Sequence, residues 1–154
     1  MRSSVVTPAA ARDLLRRRLE ARRSFLAFLS FVWWEPQPLL IGKHTRAICE
    51  RIDQAIDDYL AGRSTYLMIQ VPPRHGKSDL VSRALPAYFL GRLQQDDPDV
   101  ILTGYGASLV EEFSQSTKRI IASDRYRQVF PGVRVSARND SVSSWSIDGS
   151  SGRV

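Results

Sequence analysis

The segment Thr65-Tyr66-Leu67-Met68-Ile69-Gln70-Val71-Pro72-Pro73-Arg74-His75-Gly76-Lys77-Ser78 hands a run of apolar and β-branched residues to a glycine-lysine-serine turn. Its first seven residues are almost continuously apolar, as a strand covered on both faces would be, and they predict a buried parallel strand. Beyond the turn, Leu80, Val81, Ala84, Leu85, Tyr88 and Phe89 recur at helical spacing, with a kink expected at Pro86 and a stop at Gly91. A strand that delivers its chain to a helix N-terminus in this way is the context of a phosphate-binding loop, where successive backbone amides converge on an anion. In that reading Gly76 lets the backbone approach the phosphates, Lys77 reaches the β and γ phosphates, and Ser78 offers its hydroxyl to Mg²⁺. Pro72 and Pro73 contribute no amides, so the cradle falls to His75, Gly76, Lys77 and Ser78. The strict pattern has another glycine five positions before Gly76, where this chain has Val71, so the match is partial.

Working outward, Asp99 to Thr103 reads as a second buried strand, and Gly104-Tyr105-Gly106 turns the chain into a helix over 107–122. Strand, helix, strand, helix predicts an α/β fold, a parallel sheet with flanking helices of the P-loop NTPase kind. Upstream, Ile48, Ile52 and Ile56 lie on one face of a helix expected over 43–60, with Gly62 as its stop. Before that, one helix is expected from Pro8 to Val32, ended by Glu35-Pro36-Gln37-Pro38, with Leu14, Leu15, Leu19, Leu26, Leu29 and Trp33 along a single stripe. The chain thus divides into a basic helical lead-in, 1–34, and an α/β portion, 35–154. Past Phe130 the pattern changes to short β-like pieces around Val133 to Val135 and Val142 to Ile147.

Composition sets the outer bounds. A chain of 154 residues, 43% hydrophobic and 25% charged, has the make-up of a folded domain and excludes collagen-like or wholly disordered classes. Cys49 has no second cysteine to pair with, and with two histidines it cannot complete a structural zinc site. The longest apolar run, Phe25 to Trp34, is half the length of a membrane span. The net charge of +6 is concentrated at the start, where residues 1–23 hold seven arginines against Asp13 and Glu20. Such an arm is either a solvated helix face or a contact for nucleic acid or an acidic partner.

The Pro72-Pro73-Arg74-His75-Gly76-Lys77-Ser78 turn resembles the deviant Walker A motif of bacteriophage terminase large subunits, the ATP-driven motors that package DNA into procapsids. Other parts agree in order. The helix opening at His44 is similar to the segment before that family's loop, and Leu85-Pro86-Ala87-Tyr88 with Gly91 to the helix after it. The stretch Ile101 to Leu109 with Glu111, Glu112, Phe113 and Ser114 resembles the family's second strand and helix, and Tyr126 to Pro131 and Trp145 to Gly152 its next stretches. The resemblance covers about residues 35 to 154. It implies ATP and Mg²⁺ as ligands, double-stranded DNA, a small terminase subunit and a portal or procapsid as partners, assembly into a homo-oligomeric motor, and the cytoplasm of a bacterial host. It assigns Lys77 and Arg74 to catalysis, with Arg74 either stabilising charge on the γ phosphate or making a plain phosphate or surface contact.

The family's Walker B acid, catalytic carboxylate and nuclease domain are not found. Asp148 follows a stretch too polar for a Walker B strand, Asp99 precedes its strand, and Asp57 and Asp58 fall on a helix. The expectation is therefore an incomplete P-loop sheet, truncated before the Walker B strand, that binds nucleotide without turning it over at a motor's rate. Two alternatives stand beside it: a non-catalytic DNA- or partner-binding module with a vestigial loop, and a part of another P-loop ATPase such as a helicase. His44 reads as a helix-start residue or a base contact. Trp33, Trp34 and Tyr105 read as core in preference to a stacking surface.

Overall fold

A computed structural model describes residues 7–33, 35–94, 98–141 and 144–148, with the backbone alone for 138–140. The chain order is α1 (Pro8–Ala21), α2 (Phe25–Val32), α3 (Lys43–Leu60), a π-helical stretch (Ser78–Ala84) running into α4 (Leu85–Arg92), α5 (Ala107–Ala122), α6 (Asp124–Val129), β1 (Val135–Asp140) and β2 (Trp145–Ile147). The β structure described is one antiparallel pair, β1 with β2. The architecture is therefore mainly helical, and the parallel P-loop sheet expected from the sequence is overturned.

The reason lies in which faces are covered. Thr65 to Val71 and Val100 to Thr103 have no regular secondary structure, and no backbone hydrogen bond joins them to a neighbour among the described residues. Ile69 and Val71 pack against the core, while Tyr66, Leu67 and Met68 are 96%, 43% and 82% exposed and Ile101 is 85% exposed. Both segments border an apolar groove over α3 and α4, lined by Ile56, Tyr59, Leu67, Leu85, Phe89 and Leu102. An apolar run covered on one side only carries the residue types of a buried strand without its ladder.

The expected helix over residues 8–32 is two helices. Ser24, extended at φ −129° and ψ 125°, caps α2 by accepting the Ala27 amide at 3.4 Å. From α3, Asp53 accepts the Phe25 amide on both carboxylate oxygens, at 2.9 and 3.0 Å. The leucine stripe divides with the helix: Leu29 is buried, whereas Leu14, Leu15 and Leu19 are exposed. α3 and α5 occupy the expected ranges, and α3 ends as expected at Gly62. There a φ of 75° lets the Gly62 amide donate to the Tyr59 carbonyl and the Arg63 amide to that of Asp58, both at 2.9 Å. The expected Pro86 kink takes the form of a π-helix. Proline offers no amide to the Ser82 carbonyl and crowds it, and the preceding turns widen until the Leu85 amide donates to Leu80 five residues back.

The core is aromatic. Phe28 of α2 lies with its ring centroid 5.1 Å from Tyr88, 6.0 Å from Tyr126 and 6.0 Å from Phe130. Tyr126 donates to the Ala87 carbonyl at 2.8 Å, and the buried Trp145 donates to the Ser114 hydroxyl at 2.9 Å, tying the hairpin to α5. Gly91 falls inside α4 instead of ending it, and a Cβ there would stand 2.4 to 2.7 Å from the Phe130 ring. Alanine normally stabilises a helix interior by up to about 1 kcal/mol over glycine. Here Gly91→Ala is expected to destabilise by about 1–3 kcal/mol, because the ring it displaces is packed on three sides. A chemical-denaturation midpoint that rose would contradict this.

Asp53 also accepts from the Tyr88 hydroxyl at 3.3 Å, and Arg92 donates to that hydroxyl at 3.0 Å and to Asp57 at 2.7 Å. Burial raises the Asp53 carboxyl above its ordinary value, against the Phe25 amide, the Tyr88 hydroxyl and Arg92, which favour the ionised form. The folded chain then holds a proton that the unfolded chain has already released. The stability it contributes is complete below the ordinary aspartate value and is lost as pH rises through the raised folded value. Asp53→Asn, which keeps an acceptor for the Phe25 amide, is expected to flatten that part of the profile. Melting temperatures of both proteins from about pH 4 upward check this, and parallel profiles would contradict it.

Candidate functional site

The Val71–Ser78 turn leaves the preceding segment at Pro72-Pro73 and closes on itself before the helix starts. Arg74 and Gly76 are left-handed, at φ 64° and 74°. A non-glycine residue there is uncommon, and its strain is held by the prolines on one side and the helix on the other. A Cβ on Gly76 would meet nothing within 4 Å, so conformation and not space favours glycine. His75 is anchored by its ring, whose Nδ1 lies 2.9 Å from the Pro73 carbonyl oxygen. Lys77 is right-handed and Ser78 begins the π-helix, with the Leu80 amide donating to Gly76 at 3.0 Å.

Four consecutive amides, from Gly76 to Asp79, donate to no backbone acceptor among the described residues. A left-handed residue followed by a right-handed one, as at Gly76-Lys77, turns successive N–H groups toward one concavity. Arg74, Lys77 and Ser78 are exposed, and none has a side-chain hydrogen bond or ion pair among the described residues. The sequence-predicted residues Arg74, His75, Gly76, Lys77 and Ser78 therefore form one contiguous, donor-rich turn. Its upstream arm is not held in a sheet.

Two features of the site are not legible in the loop motif. The His44 ring, on the first turn of α3, packs edge-on against His75 with centroids 5.5 Å apart, bringing the start of α3 beside the loop. On the downstream side Arg83 pairs with Asp79 and with Glu112 of α5, stacks on Phe113 at 5.5 Å, and fixes the helix that begins at Ser78. The Asp79–Arg83 spacing of four is visible in the sequence. Glu112, 29 residues on, is not.

Other candidates lie apart from this chemistry. Asp148 sits at the end of β2, where its amide donates to Arg134. The Trp33 indole donates to the Gln37 carbonyl at 2.6 Å, and Trp34 lies outside the described residues. Tyr105, expected in the core, is 97% exposed because the turn that carries it stands clear of the helices. Burial pushes the Cys49 thiol up to about 12, with Asp53 and Glu50 adding to the shift, so it stays a neutral packing group. No group of three or more potential metal-ligating side chains, and no helix long and apolar enough to cross a membrane, occurs among the described residues. Comparison with protein-family models, with curated proteins and with solved structures finds no match.

Proposed function

We propose that this chain binds ATP with Mg²⁺ through the Arg74–Ser78 turn and is the nucleotide-binding part of a DNA-packaging ATPase of the terminase large-subunit kind. By the same resemblance its partners are double-stranded DNA, a small terminase subunit and a portal. The observation that carries the reading is a left-handed Gly76 followed at once by a helix opening on Lys77-Ser78, with the amides from Gly76 to Asp79 donating to no backbone acceptor among the described residues. Those amides, an exposed ammonium and a hydroxyl are the donors that a polyphosphate requires. Mg²⁺ keeps most of its water and takes phosphate oxygens, so Ser78 suffices as its single protein ligand. Arg74 supplies a second positive charge on the same turn. Asp79, the carboxylate next in sequence, is committed to Arg83, so this turn binds nucleotide without orienting a water for hydrolysis.

The missing ladder beside the loop favours a second reading, in which the turn is vestigial and the chain is an interaction module. Calorimetric titration with MgATP, MgADP and AMP separates the two. Saturable heats with the first two nucleotides and none with AMP are expected, and no heat with any of them would reject nucleotide binding.

A further inference from the structure

We propose that the outward face of α1 is a docking surface for an acidic amphipathic helix of a partner protein. The helix is anchored from one side. Arg18 donates to the Gln128 side chain at 2.8 Å and Arg22 to the Val129 carbonyl at 2.6 Å, both on α6, while Arg17 stands 5.8 Å over the Phe31 ring. Of the whole helix only Ala21 is buried. Away from these anchors, Arg12, Leu15, Arg16, Leu19, Glu20 and Arg23 recur at the i, i+3, i+4 spacing of one helix face and line a shallow groove. Leu15 and Leu19 are 57% and 50% exposed along its floor. A helix with so little burial gains little from its own fold, and two leucines one turn apart make a seam that a facing helix can fill.

Charge selects the occupant. Asp13 and Glu20 already hold Arg16, at 2.9 and 3.4 Å, whereas Arg12 and Arg23 have no ion pair among the described residues. Arg12 lies within α1 and Arg23 just past its end at Ala21, so the two flank the leucine pair in the chain. A partner helix with apolar residues at its centre and carboxylates toward both ends would satisfy the seam and both arginines together. A DNA duplex would engage the arginines but leave the leucines in water. An anionic bilayer needs deeper apolar anchors than two half-exposed leucines without an aromatic residue.

The probe is a synthetic helical peptide of about 20 residues with leucines on one stripe and glutamates flanking it, titrated against the full chain by fluorescence anisotropy. It is expected to bind. Leu15→Ser with Leu19→Ser, and separately Arg12→Ala with Arg23→Ala, are each expected to weaken binding by about tenfold or more. Added salt should weaken it further, and a peptide with lysine in place of glutamate should not bind. The substituted positions are exposed, so unchanged melting temperatures confirm that the variants are folded. Absence of peptide binding, or binding indifferent to the leucine pair, overturns the proposal. So does binding of a duplex or of phosphatidylserine vesicles that is lost with the leucine pair, since that assigns the seam to DNA or to a membrane.

Discussion

Lys77→Ala removes MgATP binding while leaving the fold intact: this is the expected result with the largest functional effect. The ammonium is the one cationic group on the turn that immediately follows the left-handed glycine, and it is exposed with no carboxylate claiming it among the described residues. A charge-assisted contact to polyphosphate is worth about 3 kcal/mol, so the dissociation constant should rise by roughly 100-fold. Because the side chain is exposed, the melting temperature should stay within the small range typical of exposed positions. The sequence has two other lysines, and they make sharp controls. Lys118 donates to the Ser141 carbonyl and lies over the Trp145 ring, so its loss should affect the hairpin and not the nucleotide. Lys43 opens α3 beside His44, whose ring touches His75, so it is distant in sequence but close to the loop. If Lys43→Ala removes binding and Lys77→Ala does not, the ligand sits at the start of α3 and the loop assignment fails.

The largest stability effect is expected at Phe28. Its ring is fully buried and meets Phe25, Tyr88, Tyr126 and Phe130, joining α2 to α4, to α6 and to the chain that follows α6. Phe28→Ala leaves a cavity among rings that hold one another in place, and such truncations cost about 3–5 kcal/mol. Against a domain stability of about 5–15 kcal/mol this is about a fifth of the total or more. In urea the midpoint should fall by about 2 M, given slopes of about 1–3 kcal/mol per molar. Leu15→Ala, at a position that reads in the sequence as sharing a stripe with the buried Leu29, should change stability by no more than about 0.5 kcal/mol. A small shift for Phe28 would mean that α2 is dispensable to the folded core.

Local chemistry was readable wherever it acts over a few residues. Periodicity places α3 and α5 on their observed ranges, and Gly62 as a helix stop rests on its freedom to take a positive φ. Gly76, Lys77 and Ser78 announce a turn into a helix because a glycine and a helix N-terminus do their work within one turn of chain. Pro86 signals a distortion, and the π-helix before it is that distortion seen in the backbone. These features depend on steric preferences that each residue carries wherever it is placed.

Pairing and cover belong to residues far apart in the chain, and there the sequence pattern misled. Thr65 to Val71 has the composition of a two-sided strand, yet a ladder needs a neighbour and an opposite layer, and no local preference supplies either. The break between α1 and α2 depends on Asp53, 28 residues beyond Phe25, whose carboxylate meets the freed amide. Gly91 reads as a helix stop, and its role is set by the Phe130 ring that fills the space its missing side chain leaves. The sequence by itself determined α3 and α5, the stop at Gly62 and the turn into a helix at Gly76 to Ser78. Tertiary structure alone decided which apolar faces are covered and which side chains meet across the fold, because burial and pairing are properties of contacts between distant residues and not of any one segment.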